Sequence, residues 1–514
     1  MGTFTTMRHA ETPNGNALMK ILIASSEVVP FSKTGGLADV AGALPRYINE
    51  LGHEVAVFMP AYRSIYDAGI EFQDTGVKFQ IALGSKIADG RLLAAKIPGN
   101  NVTYYAIENQ SYFDRPSLYG EDGQDYPDNC ERFVFFSRAV LECVRLLDWQ
   151  PELIHANDWQ TGLIPAYLKT ELASVAFYEN IASLITIHNL AYQGSFWHWD
   201  MLLTGIDWKH FNWLEMEFFG RLNLLKTGLA FADCINTVSP TYAVEIQSEQ
   251  QGCGLDGVLR HRSDVLSGIL NGIDPGQWDP KTDPHLAVNY DVSSWENGKA
   301  ACKRSLQQQQ NLSVDADVPL IGIVSRLASQ KGWSLIIPVM EAWLAQRDVQ
   351  WVVLGTGQAE YHLALEDLQR RYPGKLAVQL AFSNPLAHQI ESGSDMFLMP
   401  SEYEPCGLNQ MYSLTYGTIP IVRSTGGLAD TVIDATASTL ENSTANGFCF
   451  ENFDIDSLNT AVSRAVEMFG DDKTWSQLVK TAMQQDWTWS ASAKKYCRLY
   501  EQTINVKLAN RQMV

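Results

Sequence analysis

Two cations stand together after a short apolar run in the second half of the sequence. Arg326 and Lys331 lie in residues 325–332, directly after the apolar residues 320–324. Arginine offers a planar fork of donors and lysine a compact charge, so the two together can neutralise a diphosphate. The chain has 38 basic and 58 acidic residues, a net charge of −20. In so acidic a protein this pair indicates a local anion site, although a solvated loop with two ordinary charges has the same pattern.

A candidate carboxylate follows another apolar run. Pro405 and Gly407 favour a turn that presents Glu404 just beyond residues 396–399. A carboxylate at a strand end can accept hydrogen bonds from sugar hydroxyls or balance positive charge on a sugar carbon. No second carboxylate stands at a spacing that identifies a hydrolase pair, and Glu404 by itself is also typical of a helix start.

The first half of the sequence has two polar clusters of the same kind. His155 and Asp158 follow one predicted strand, and His188 and Asn189 follow another. A single histidine at a strand end is more often structural, which we expect for His155. Two clusters on one sheet edge favour a site that includes Asp158 and His188.

One six-residue sequence occurs twice. Thr-Gly-Gly-Leu-Ala-Asp at residues 34–39 is repeated unchanged at 425–430, each time before a predicted helix. Glycine lets the backbone approach a ligand closely, and the N–H groups of a helix start attract anions. Either copy alone is equally typical of a tight turn between a strand and a helix.

The elements that must position these residues alternate between short apolar runs and amphipathic stretches. This alternation predicts α/β units with parallel sheets, and 514 residues exceed what one core usually supports. We expect residues 266–270 to form the first strand of the second domain. The predicted parts are an N-terminal extension (1–18), a first domain (19–264), a second domain (265–486) and a C-terminal helical segment (487–514) that crosses back to the first domain.

Several function classes are disfavoured. The acidic charge disfavours nucleic acid and anionic membranes as partners. No apolar run approaches the length that a membrane-spanning helix needs, about 18 residues. Residues 1–18 lack the apolar core of a secretory signal, and the eight scattered cysteines fit the cytoplasm and no zinc site. Neither a phosphate loop nor a dinucleotide fingerprint is present. The aromatic residues between 196 and 213 are expected to be mainly core.

The polar clusters together resemble the bacterial glycogen synthase and plant starch synthase family. The matching segments are residues 33–39, 155–159, 188–194, 270–274, 325–332, 404–408 and 425–430. They follow the order of the family across nearly the whole chain, from about residue 19 onward. One such segment is unspecific, whereas the ordered set is highly specific.

This resemblance implies a glycosyltransferase fold of the B type, with two Rossmann-like domains facing across a cleft. It implies transfer of glucose from ADP-glucose to the non-reducing end of an α-1,4-glucan, with retention of configuration. The acceptor would be glycogen, starch or a maltooligosaccharide. The resemblance implies no cofactor and no metal.

The resemblance also assigns residues by motif match. The candidate catalytic residues are Glu404, His188, Asp158, Arg326 and Lys331. Arg326 and Lys331 would hold the diphosphate, and Glu404 would bind the donor glucose. His188 would lie beside the reacting carbon, and Asp158 near the donor sugar or the acceptor. The candidate substrate-binding residues are Lys33, Gly35, Gly36, Asp39, Asn189, Asn271, Phe382, Cys406, Gly407, Leu408, Tyr412, Thr425, Gly426 and Gly427.

Two positions depart from the pattern. Phe382 stands where the family often has a tyrosine that stacks on adenine, so stacking is kept and a hydroxyl is lost. Tyr412 stands where related retaining transferases often have a second glutamate, eight residues after the first.

The sequence leaves two other functions open. One is another glucan-active transferase or a phosphorylase on a related fold; a phosphorylase would carry pyridoxal phosphate and absorb visible light. The other is a glucan-binding protein without catalysis, against which the presence of Lys33, Arg326, Lys331 and Glu404 argues.

Overall fold

The computed structural model describes residues 18–121 and 123–512. The described chain divides into two compact units. The first contains the chain up to Val238, Ala243–Ile269 and the chain from Trp489 onward; the second contains Ser239–Tyr242 and Leu270–Thr488. Residues 1–17 of the predicted N-terminal extension lie outside the described residues.

The first unit is built on a nine-stranded sheet in the order β14-β13-β9-β8-β1-β2-β5-β4-β3. Strands β14 to β5 in this order pair in parallel, and β4 and β3 add an antiparallel edge. The sheet strands are β1 (Lys20–Ala24), β2 (Glu54–Pro60), β3 (Gln73–Leu83), β4 (Lys86–Lys96), β5 (Thr103–Glu108), β8 (Leu153–Asn157), β9 (Ala182–Ile187), β13 (Cys234–Thr237) and β14 (Leu266–Gly268). Short strands outside it are β6 (Gly120–Glu121), β7 (Gln124–Asp125), β10 (Ser195–Phe196), β11 (Glu217–Phe218) and β12 (Arg221–Asn223).

The last strand of this sheet corrects one expectation from the sequence. Residues 266–270 were expected to begin the second domain, but β14 pairs in parallel with β13 at the edge of the first sheet. An apolar run at a domain boundary has no preference of its own for either sheet. The sheet that offers an unpaired edge strand determines which one the run joins. The predicted strand exists, and its assignment to the second domain is wrong.

The second unit is a six-stranded sheet, parallel throughout, in the order β17-β16-β15-β18-β19-β20. Its strands are β15 (Leu320–Val324), β16 (Gln350–Leu354), β17 (Leu376–Gln379), β18 (Met396–Met399), β19 (Ile419–Arg423) and β20 (Phe448–Phe450). These strands are short, continuous apolar runs because helices cover both faces of a parallel sheet.

Helices connect the strands in both units. Those before residue 270 are α1 (Gly36–Glu50), α2 (Gln110–Phe113), α3 (Asn129–Leu146), α4 (Leu163–Lys169), α5 (Met201–Thr204), α6 (Leu224–Phe231), α7 (Pro240–Glu245) and α8 (Asp256–His261). The later ones are α9 (Trp295–Gln309), α10 (Trp333–Gln346), α11 (Ala359–Arg371), α12 (Asn384–Gly393), α13 (Asn409–Tyr416), α14 (Gly426–Thr431), α15 (Ala437–Glu441), α16 (Ile455–Phe469), α17 (Asp472–Met483) and α18 (Trp489–Gln512). Among the described helices, none has the length and apolar character to cross a membrane.

The first sheet is covered on both faces, which places its strand ends at the surface. Helix α18 packs with α1 over the core that contains Ile21 and Ile23, while α3 and α4 cover the face of Leu22. The aromatic residues after β9 depart from the expectation that they are mainly core. Trp197 is 59% exposed and Trp213 is 74% exposed.

Candidate functional site

In the second unit, three neighbouring strands bring the predicted polar loops to one edge of the sheet. Strands β15, β18 and β19 are adjacent and parallel, so their carboxyl ends point the same way. Residues 325–331 follow β15, 401–404 follow β18, and 425–427 follow β19. Ligands of open parallel sheets bind at this edge.

The centre of this edge is an ion pair. The Nζ atom of Lys331 lies 2.6 Å from Oε2 of Glu404, and the Ser401 hydroxyl donates to the same oxygen at 2.9 Å. The side chains of Lys331 and Glu404 are 17% and 9% exposed. A lysine and a carboxylate with so little exposure hold each other in fixed positions, which is the preorganisation that electrostatic catalysis requires.

The backbone locks this pair in place. Gly332 has φ +81°, and a Cβ there would lie 2.3 Å from the carbonyl oxygen of Pro400. The Glu402 N–H donates to the Gln330 carbonyl at 2.8 Å, so the loops that carry Lys331 and Glu404 are joined by main-chain contact. Only glycine permits this close approach, because it has no Cβ.

In the second unit, Arg326 and Phe382 are the exposed members of the predicted set. Arg326 belongs to the loop of Lys331, and its side chain forms none of the ion pairs found in the described part of the chain. Phe382 lies in the loop after β17 and is 88% exposed. A solvent-facing guanidinium suits a phosphate, and an open aromatic ring suits a flat base.

The second copy of the repeated sequence packs against the Glu404 segment. A Cβ on Gly426 would lie 2.0 Å from the Glu404 carbonyl oxygen, and one on Gly427 would lie 1.9 Å from that of Cys406. The Gly427 N–H donates to the Glu404 carbonyl at 3.1 Å. Because a Cβ at either position would clash with a carbonyl oxygen, the glycines of this copy are needed for packing. Thr425 is also buried. Burial raises the pKa of the Cys406 thiol to about 12, which keeps the thiol protonated.

The remaining predicted residues of this unit surround the same segment. Asn271 is buried, and its backbone contacts the Cys406 thiol. Gly407 has φ +72°, and Leu408 precedes α13. Tyr412 stacks on Trp278 with ring centroids 3.8 Å apart and an interplanar angle of 7°. One face of the Tyr412 ring is thus covered by protein.

In the first unit, the predicted residues gather at the carboxyl ends of β1, β8 and β9, which are also neighbours. Asp158 follows β8 and has φ +55° and ψ −171°, a backbone conformation that residues other than glycine rarely adopt. Its Oδ1 accepts the His188 N–H at 2.7 Å. Burial, reinforced by the charge of Glu27, raises the pKa of Asp158 to about 7. A strained, buried carboxyl that titrates near neutrality is typical of a functional site.

His188 is held by an amide whose orientation is fixed. The Nδ2 of Asn157 donates to the Ala24 and His155 carbonyls, so its Oδ1 accepts from Nε2 of His188 at 2.9 Å. Burial lowers the pKa of His188 to about 3, and the ring is neutral at physiological pH. The neighbouring Asn189 accepts the Ala191 N–H at 3.0 Å in a local turn.

The first copy of the repeated sequence begins α1. Lys33 Nζ donates to Oδ1 of Asp39 at 2.7 Å, and the Lys33 side chain is 52% exposed. Burial raises the pKa of Asp39, while Lys33 opposes this shift. A Cβ on Gly35 or Gly36 would meet no heavy atom of the described residues within 4 Å. The fold therefore does not need glycine at either position.

His155 lies away from this edge, inside the unit. Its Nδ1 bonds to the Tyr500 hydroxyl of α18 at 2.9 Å and its Nε2 to the Thr186 hydroxyl at 2.7 Å. Burial lowers its pKa to about 3. It is a satisfied core histidine, as the sequence led us to expect.

Sequence reasoning missed two residues that hold the predicted ones. Ser401 fixes Glu404, and the buried Glu27 binds the first copy of the repeat at Thr34 and Gly35. Glu27 is the sole acidic residue between β1 and the repeat, which was a usable signal. Ser401 carried no signal that separates it from an ordinary loop serine.

Comparisons with known proteins agree with this geometry. Residues 20–261 match the family model of the starch synthase catalytic domain, and residues 305–482 match that of the glycosyl transferases group 1. A glycogen synthase of Rhodopirellula baltica is 44% identical over 504 residues, covering 96% of this chain and 99% of the relative. A glycogen synthase of Syntrophotalea carbinolica is 46% identical over 490 residues, covering 95% of this chain and 99% of the relative.

Solved structures give the same result. The catalytic domain of starch synthase IV from Arabidopsis thaliana, bound to ADP and acarbose, matches with a TM-score of 0.86 and 31% identity over 95% of this chain and 99% of that one. A sucrose-phosphate synthase from Thermosynechococcus elongatus matches with a TM-score of 0.56 and 18% identity over 94% and 98%, which shows the fold alone. The two units are those of a glycosyltransferase of the B-type fold. The chain belongs to the glycogen synthase and starch synthase family. It is a hexosyltransferase with a nucleotide-sugar donor and a glucan acceptor.

Proposed function

We propose that the donor is ADP-glucose and that glucose is transferred to the non-reducing end of an α-1,4-glucan with retention of configuration. The observation that carries the assignment of residues is the buried Lys331–Glu404 pair, 2.6 Å apart, at the carboxyl ends of β15 and β18. The related plant starch synthase whose structure is known was bound to ADP.

In the second unit, Arg326 and Lys331 bind the diphosphate. When the bond from the sugar to the β-phosphate breaks, the departing oxygen gains negative charge, and fixed cations stabilise it. Glu404 accepts hydrogen bonds from hydroxyls of the donor glucose while Ser401 and Lys331 hold its carboxylate. Phe382 offers its open ring to the adenine.

In the first unit, the strand-end residues take the remaining roles. Lys33, Gly35, Gly36 and Asp39 bind the donor, and His188 lies beside the reacting carbon. The neutral imidazole of His188, whose Nε2–H donates to Asn157, offers Nδ1 as a hydrogen-bond acceptor without placing positive charge beside a carbon that itself becomes positive. Asp158, when ionised, balances that positive charge.

We infer same-face attack as the route to retention. The bond from glucose C1 to the phosphate oxygen breaks, the bond from C1 to the acceptor oxygen forms, and the acceptor proton passes to the departing phosphate. Glu404 is already engaged by Lys331 and Ser401, which suits a binding group better than a nucleophile. Trapping of a glucosylated enzyme would contradict this route.

Donor choice is tested by glucose incorporation into glycogen from ADP-glucose and UDP-glucose. We expect kcat/KM to favour ADP-glucose by about 10²-fold, since a site built for one base leaves polar groups unpaired with another. Phe382→Ala should raise the KM for ADP-glucose about tenfold, because stacking on a base is worth ~1–3 kcal/mol. The matched control is Leu363→Ala, another exposed side chain of the second unit, on α11. Equal use of both donors would refute the proposal.

We further propose that the protein works in the cytoplasm. All eight cysteines are free thiols and six of them are buried, which suits a reducing compartment. Oxidised disulfides in the protein isolated from cells would contradict this.

A further inference from the structure

A buried carboxylate binds the first copy of the repeated sequence. Glu27 is 4% exposed and lies between β1 and the loop of Lys33. Its Oε2 accepts the N–H groups of Thr34 and Gly35, the latter at 3.1 Å. Its Oε1 accepts the Thr34 hydroxyl at 2.6 Å and the Tyr119 hydroxyl at 2.8 Å. Four donors from two separate segments therefore converge on one carboxylate.

Tyr119 is itself held rigidly. The Asn129 side chain donates to the Tyr119 carbonyl at 2.9 Å, and the fully buried Arg132 donates to the Leu118 carbonyl at 3.0 Å. The Tyr119 hydroxyl also lies 2.8 Å from the Ser26 hydroxyl. The segment around Tyr119 thus holds Glu27 in addition to the repeat.

The two copies of the repeat differ in the acceptors that their backbone N–H groups bind. In the second copy, a backbone carbonyl of Glu404 accepts the Gly427 N–H, and the glycines are packed against neighbouring carbonyls. In the first copy, an acidic side chain takes the Thr34 and Gly35 amides, and the glycines are open. Amides that already bind a carboxylate cannot also bind a phosphate, because each N–H has a single hydrogen to donate.

We infer that Glu27 is the positioning residue of the first unit's site: it occupies the amides of Thr34 and Gly35, fixes the loop that carries Lys33, and so leaves Lys33 as the loop's cationic contact with the donor. The inference rests on the proposed function of Lys33. In the first copy, the Glu27 carboxylate therefore fixes the shape of the loop, and the Thr34 and Gly35 N–H groups do not bind the diphosphate.

The neighbourhood of Glu27 adds an electrostatic effect. The ionisable side chains influenced by Glu27 are Tyr62, Tyr119, Asp39 and Asp158, and the charge of Glu27 raises the pKa of each carboxyl among them. His188 also contacts Asp158, through its backbone N–H. Removal of the Glu27 charge should therefore lower the pKa of Asp158 and move the acid limb of the pH–rate profile to lower pH.

The test compares Glu27→Ala and Glu27→Gln in the full chain, with ADP-glucose and glycogen. Glu27→Ala leaves the Thr34 and Gly35 N–H groups without the carboxylate that holds them, so the loop of Lys33 loses its fixed position. We expect the donor KM to rise about tenfold with a smaller change in kcat. Acetate replaces the lost part of the side chain and should restore most of the donor KM in this variant while leaving the wild type unchanged. Glu27→Gln keeps an acceptor for the amides, so its donor KM should change less than about threefold, with the acid limb shifted.

The matched control is Glu152→Ala. Glu152 also accepts one backbone N–H, that of Lys20 at 2.9 Å, but lies before β8 and away from the loop. We expect neither a raised donor KM nor any effect of acetate there. If Glu27→Ala does not fold, Tyr119→Phe removes one of the four donors and should raise the donor KM without changing the acid limb.

A donor KM that stays unchanged in a folded Glu27→Ala protein, or one that acetate fails to restore, overturns the inference. Lys33→Ala separates this outcome from failure of the proposed function. A raised donor KM in Lys33→Ala together with an unchanged one in Glu27→Ala would refute the positioning role alone. An unchanged KM in Lys33→Ala would refute the proposed function of the loop.

Discussion

Lys331 and Glu404 belong to loops 73 residues apart in sequence and meet at 2.6 Å through Nζ and Oε2. Neither is more than 17% exposed. The pair exists because β15 and β18 are adjacent parallel strands whose carboxyl ends share one sheet edge. The cation that we propose for the diphosphate and the carboxylate that we propose for the sugar are thereby fixed side by side by the fold.

Replacing either partner should abolish most transfer. We expect Glu404→Gln and Lys331→Met each to lower kcat about 10²–10³-fold, the usual effect of removing one preorganised charged group. The control is Lys303→Met, which breaks a similarly buried pair, Lys303–Asp395 at 2.7 Å, elsewhere in the second unit. That variant should lose stability and keep its kcat per folded molecule. Full activity in Glu404→Gln would refute the assigned role.

The two copies of the repeat should respond oppositely to alanine. In Gly36→Ala, the new Cβ meets open space in the first turn of α1. Because alanine favours helix, the free energy of unfolding should rise by ~0.5–1 kcal/mol. The donor KM should nevertheless rise, because the Cβ occupies the space in which the ligand approaches the backbone. Gly427→Ala places a Cβ 1.9 Å from the Cys406 carbonyl oxygen and should destabilise the fold by about 3 kcal/mol or more. Thermal unfolding and donor kinetics of both variants check this. A Gly36→Ala protein with wild-type kinetics would show that ligand approach does not explain this glycine.

Activity should depend on the ionisation of Asp158. Its raised pKa leaves the carboxyl neutral below pH 7 and ionised above it, so kcat/KM should rise with pH through about 7 if the charge assists the reaction. Asp158→Asn should remove this limb and lower kcat/KM throughout, while the asparagine side chain has the same size and can still accept the His188 N–H. The control is Asp233→Asn, a buried carboxyl at the opposite end of the sheet that accepts the Ser183 N–H. A limb near pH 7 that persists in Asp158→Asn would assign it to another group.

The C-terminal helix should be stabilised through His155. Tyr500→Phe removes the 2.9 Å bond to Nδ1 of His155 and leaves a buried ring nitrogen unsatisfied, which typically costs ~1–3 kcal/mol of unfolding free energy. The exposed Tyr192→Phe should change stability little. Denaturant titration measures both. Equal stability of the Tyr500→Phe protein and the wild type would contradict the importance of this bond.

Much of the fold was readable in the sequence because parallel strands are continuous apolar runs and their loops carry the polar residues. The runs at 320–324 and 396–399 became β15 and β18 with the bounds that the pattern indicated. The short run at 266–270 was assigned to the wrong sheet, since pairing partners are set by three-dimensional neighbours. Trp197 and Trp213 were expected in the core, but both are exposed. Side-chain hydrophobicity alone does not reveal which apolar residues remain at the surface of a folded protein.

The family, the α/β class and the strand ends at which chemistry is possible follow from the sequence, since these depend on residue type and local order. Which side chains meet depends on the tertiary structure. It paired Lys331 with Glu404, buried His155 beneath Tyr500, and gave identical copies of one hexapeptide different acceptors. Contacts between distant segments depend on how strands are ordered in a sheet, and a linear pattern does not contain that order.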